Sequence, residues 1–179
     1  MDVTQSLARQ LDTSWRLLDL HLTGLDDPEA LWRPAALGPH VHMQSDGRWT
    51  ADWPEDESYA AGPPSIAWVT WHIGFWWSMV QNQSFGDATL RREDVTWPGS
   101  TDAVRAWLAD LHDAWVRLVA ELSDDDFQST DRTRWPMHDR PFGDVVAWVN
   151  VELMKNAAEI GSARFLYAAT RIGTVDSSS

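Results

Sequence analysis

From Phe142 to Ala169 the chain reads FGDVVAWVNVELMKNAAEIGSARFLYAA, with no proline. A stretch so rich in Ala, Val, Leu and Glu has little choice but a helix of about seven or eight turns. Val145, Val149, Leu153, Ile160, Ala163 and Tyr167 recur at three- and four-residue steps and define a buried face. At ~100° per residue, Asn156 falls inside that face, Glu152 at its edge and Glu159 slightly further round. A carboxylate in such a place is costly unless something neutralises it. The rest of the chain must therefore wrap this helix and bring a partner to it.

Three further segments have the pattern to do so. A first helix is expected from Asp2 or Thr4 to Leu25, with Leu7, Leu11, Leu18, Leu22 and Leu25 as its stripe and Trp15 beside it. Asp27-Pro28-Glu29 can open one more turn. Pro63-Pro64-Ser65 introduces a second helix over Ile66 to Gln83, apolar on two adjoining faces and so central. Ser100, Thr101 or Asp102 caps a third helix that runs to Leu122. Its stripe passes through Val104, Trp107, Leu108, Leu111, Trp115, Leu118 and Val119, and Ser123 to Asp126 ends it. The result is an all-α four-helix bundle. Long connections after the first and third helices allow a non-sequential helix order.

Between the first two helices the pattern changes. HVHMQ and RWTADW alternate around Ser45-Asp46-Gly47, which predicts a short β-hairpin with a glycine turn, followed by an acidic loop from Glu55 to Gly62. Two short strands make no domain. Residues 38–64 are therefore an insertion in one domain spanning 1–172, and 173–179 form a loose polar tail.

At 179 residues the chain is long enough for a full core. Its 27 acidic and 14 basic residues leave a net charge of −13, which argues against nucleic-acid backbones and anionic membranes as partners. Cysteine is absent, which excludes disulfides, thiolate zinc sites and a cysteine nucleophile. The N-terminus lacks the basic start and apolar run of a secretory signal. The apolar window from Ile66 to Val80 is short for a span and interrupted by His72. A cytoplasmic protein is the expectation. Thirteen tryptophans should serve mainly as core and loop anchors, Trp-Pro at Trp53, Trp97 and Trp135 among them.

The polar groups aimed inward are His72 on the second helix and Glu152 and Asn156 on the last. The latter two are four apart and share one helix face. His, Glu and Asn offer N and O donors suited to a divalent metal, although Asn is a weak ligand. The competing expectation, which spacing favours, is a buried network in which His72 donates to Glu152 and Asn156 completes the set. Glu159 could pair with Arg164 or His72. His40 and His42 share a strand face, more often a surface arrangement than a ligand pair. His21 and His112 flank apolar stripes and should face solvent. No phosphate loop, Gly-x-Ser-x-Gly elbow or His-Glu-x-x-His motif is present.

LWRPA at Leu31 to Ala35, SIAWVTWHIGFW at Ser65 to Trp76 and VELMKNAAEIGSARFLY at Val151 to Tyr167 resemble the DinB-like superfamily, the DinB/YfiT-like proteins and their relatives the mycothiol-dependent maleylpyruvate isomerases. The resemblance implies an up-down-down-up bundle, one that often pairs as a homodimer. It implies a divalent metal (nickel, zinc or manganese) held by three histidines. His72 matches the histidine of the second helix. The two of the last helix fall on Glu152 and Asn156, with Glu159 and Ile160 completing the motif and Arg164 standing for a basic residue beyond it. Two functions follow as expectations. One is a metal-dependent enzyme of thiol-transferase or hydrolase type, with His72, Glu152 and Asn156 at the metal and a low-molecular-weight thiol as partner. The other is a metal-free bundle that binds a small molecule, or serves under stress, without catalysis.

Overall fold

A computed structural model describes residues 3–54 and 59–175. Asp2, the alternative first cap, the start of the acidic loop at 55–58 and the tail residues 176–179 lie outside the described residues. Four long helices carry the fold: α1 (Val3–Leu22), α3 (Ile66–Phe85), α4 (Thr101–Ala120) and α6 (Phe142–Val175). Two short ones, α2 (Asp27–Ala30) and α5 (Asp124–Gln128), occupy connections. The hairpin is β1 (Val41–Met43) and β2 (Trp49–Ala51), antiparallel with His42 opposite Thr50.

Local chemistry sets the boundaries. Ser65 and Ser100 cap α3 and α4 by accepting from the backbone N–H of Trp68 and Ala103. α1 stops at Leu22 rather than Leu25, and just beyond it Gly24 turns with φ of 71°. Leu25 still packs into the core. Ser123 to Asp126 ends α4 but also starts α5, because Ser123 and Asp126 form a reciprocal capping box. α6 continues past Ala169 to Val175, so Gly173 to Val175 of the expected tail are helical.

Pairwise contacts fix the topology. Along α1 and α6, Ser14 Oγ donates to Asn150 O and the ring of His21 lies against Gly161, so these two helices run parallel. α3 runs antiparallel to α6, with Phe85 on Phe142 and Trp76 bonded to Asn156. α3 is parallel to α4, through Gly74 against Trp107 and Gln81 bonded to Leu111 O. α1 is antiparallel to α4, through Trp15 on His112 and Asp19 with Arg105. This is an up-down-down-up bundle in which α1 and α3 lie on one diagonal and α4 and α6 on the other, while α3 and α4 pack side by side. The core between them holds Leu18, Ile73, Trp76, Trp77, Leu108, Trp115, Val149, Leu153 and Ile160.

Indole N–H groups fasten the hairpin and loops to α3. Trp68 Nε1 donates to Asp52 O at 2.7 Å, Trp71 Nε1 to Val95 O at 2.9 Å and Trp97 Nε1 to Thr70 Oγ1 at 3.1 Å. The insertion thereby becomes a wall over one side of α3. No helix among the described residues is long and apolar enough to cross a membrane.

Candidate functional site

His72 projects from α3 toward α6. Its ring stacks on Trp68 with centroids 5.0 Å apart and planes 8° from parallel. Trp68 is itself fixed by its bond to the hairpin carbonyl of Asp52. The imidazole pKa is lowered to about 4, first by burial and then by the Lys155 ammonium, with a hydrogen bond to Asn156 opposing both. At neutral pH the ring is therefore uncharged. Its Nδ1 is buried and has no partner.

The opposite wall comes from one stretch of α6. Asn156 is 1% exposed and fully engaged. Its Oδ1 accepts from Trp76 Nε1 at 3.1 Å, and its Nδ2 donates to Glu159 Oε2 at 3.3 Å. Burial raises the Glu159 pKa, against the bond from Asn156 and the nearby Lys155. Glu152 accepts from Lys155 Nζ at 2.5 Å, and the Glu152 side chain is only 17% exposed. The pairing differs from the expected bond between His72 and Glu152. His72 meets Asn156, while Glu152 is held by Lys155.

Several expectations need correction. Arg164 does not pair with Glu159. It forks onto Glu29 at 3.0 and 3.3 Å and donates to the carbonyls of His21 and Thr23 at the end of α1. A guanidinium that serves four acceptors at a helix C-terminus is a structural clasp. His112 does not face solvent. It is 17% exposed and stacks on Trp15 at 4.2 Å. His21 is half-buried against Gly161, where any Cβ would strike its ring. His42 bonds to Asp52 at 2.9 Å and His40 to Ser65 at 2.8 Å, so both help hold the hairpin.

Lys155 and Trp76 were not singled out from the sequence. Lys155 lies three residues after Glu152, a spacing that favours an ion pair on a helix. Trp76 lies one turn after His72. Around this polar cluster stand Phe75, Trp135 and Trp148: Trp148 is edge-on to Trp76 at 5.6 Å and to Trp135 at 5.6 Å, and Trp135 meets Phe75 at 6.1 Å.

The donor set does not suit a divalent cation. The Asn156 oxygen is already committed to an indole N–H, and Glu152 to an ammonium. Glu159 accepts from Asn156 and its pKa is raised by burial, which leaves one neutral imidazole as a ready ligand with a positive charge beside it. Among the described residues no group of three or more His, Cys, Asp or Glu is arranged to hold a metal.

These features define a class first: an up-down-down-up bundle with an aromatic-walled polar cluster between its second and last long helices. Residues 10–160 match the family model of the DinB superfamily, and the chain belongs to that superfamily. No curated protein and no solved structure matches it.

Proposed function

We propose that this DinB-superfamily protein is a metal-free bundle that binds a small molecule between α3 and α6. Lys155 supplies there the positive charge that a metal supplies in family members with three histidines. The observation that carries this reading is the Lys155–Glu152 ion pair beside a neutral His72. An ammonium paired with Glu152 disfavours a second cation in the same place. The aromatic walls and the few convergent polar groups are what a small-molecule site needs. Thermal unfolding of protein made without a histidine tag tests it. Added nickel, zinc or manganese should leave the midpoint unchanged; a rise of several degrees with one of them would overturn the proposal, because a ligand of the folded state must stabilise it.

A second reading is favoured by one observation. The buried Nδ1 of His72 has no partner, and a neutral imidazole is a competent ligand. On that reading the protein is a metal-dependent enzyme of thiol-transferase or hydrolase type, with Glu152 released from Lys155 to join His72. Metal affinity that disappears in His72→Ala would favour it over the first.

A further inference from the structure

α1 leans on α6 along its length but meets α4 only near its C-terminal half, through Trp15 on His112 and Asp19 with Arg105. Toward the start of α1 the two helices enclose a groove of about 480 Å³, well away from His72. Leu7, Leu11, Val116 and Val119 line its sides, and the buried Trp115 and Asn150 form its floor. A volume of this size suits a drug-sized molecule.

Both floor residues carry an unmade hydrogen bond. Asn150 is 3% exposed, and its Nδ2 is spent on Leu7 O at 2.8 Å. Its Oδ1 has no partner. The indole N–H of the fully buried Trp115 also lacks one. Each such group is costly when left unsatisfied, so partners are worth acquiring. One of these atoms donates and the other accepts. Among the described residues no Lys or Arg lines the groove, and the acid at its rim, Asp12, is already paired with Arg16.

We propose that the α1–α4 groove is a second binding site, for a neutral apolar molecule that carries a hydroxyl. The hydrocarbon part covers the leucine and valine sides. The hydroxyl, donor and acceptor at once, answers the orphaned floor atoms. A carboxylate of the same length finds no Lys or Arg among the described lining residues and must shed its water.

The probe is 1-octanol, read by ¹⁹F NMR of protein carrying fluorotryptophan, with the Trp115 line assigned by Trp115→Phe. Titration should shift the Trp115 line saturably and leave the lines of Trp53 and Trp97 in place. Octanoate should bind at least roughly ten-fold more weakly. Val119→Trp fills the groove from its side and should abolish the Trp115 shift without unfolding the chain. Asn150→Leu, if it folds, should weaken octanol binding. No saturable shift at Trp115, equal shifts at all tryptophans, equal binding of octanoate, or a shift that survives Val119→Trp would each overturn the proposal. So would a dimer that closes this groove and is broken by Val119→Trp.

Discussion

His72 on α3 and Glu159 on α6 carry opposite pH signatures. The His72 pKa falls from 6.5 in the unfolded chain to about 4 in the folded one. Between those values the unfolded chain binds more protons, so this group's contribution to stability rises with pH and is lost on acidification, by up to roughly 3 kcal/mol in all. Glu159 has its pKa raised above 4.5. Its contribution therefore falls as pH rises through that shifted range. Denaturant titrations from pH 4.5 to 6.5 separate the two. Relative to the parent, His72→Gln should lose stability as pH rises, and Glu159→Gln should gain it. Differences of the same sign would show that the two groups are not buried as described. Arg164 works differently, as a clasp on Glu29 and on the end of α1. Arg164→Ala should cost about 2 kcal/mol, and Arg164→Lys should recover little, because an ammonium cannot reproduce the fork. A urea midpoint shift measures both.

At the scale of elements, the α3–α4 contact depends on a missing side chain. A Cβ at Gly74 would lie inside the Trp107 indole. Gly74→Ala should destabilise by about 1–3 kcal/mol or force Trp107 outward, despite alanine's better helix propensity. Calorimetry reads the loss, and an unchanged midpoint would mean the helices can part freely. The four long helices were legible because their apolar stripes are long, and α3 and α4 also because their serine caps are explicit. α5 was not, since Ser123-Asp124-Asp125-Asp126 serves equally as a stop and as a capping box. The last turns of α6 were not, since beyond Ala163 the helix exposes residues such as Phe165, 78% accessible, and leaves no stripe to follow. Trp-Pro loops were legible as anchors only in part. Trp97 is 2% exposed and bonded to Thr70, whereas Trp53 is 45% exposed beneath Arg92.

For the whole molecule, the crossing order of the helices is what makes a site. α1 and α3 sit on one diagonal and α4 and α6 on the other, so α6 faces α3 and presents Glu152, Asn156 and Glu159 to His72's side of the bundle. Helical phase alone located those residues. It could not reveal Lys155, because a lysine outside the apolar stripe reads as a solvent-facing charge. Its side chain is indeed 54% exposed, yet the ammonium turns back onto Glu152. Replacing that charge should create a site with three imidazoles. The triple variant Glu152→His, Lys155→Ala, Asn156→His places two imidazoles one turn apart opposite His72, and should acquire nickel or zinc. The most direct test of the account is the metal content, by mass spectrometry, of tag-free parent protein beside this variant. The account predicts a parent with far less than one equivalent of any transition metal and a variant with close to one. A parent that holds one equivalent, lost on His72→Ala, would contradict it.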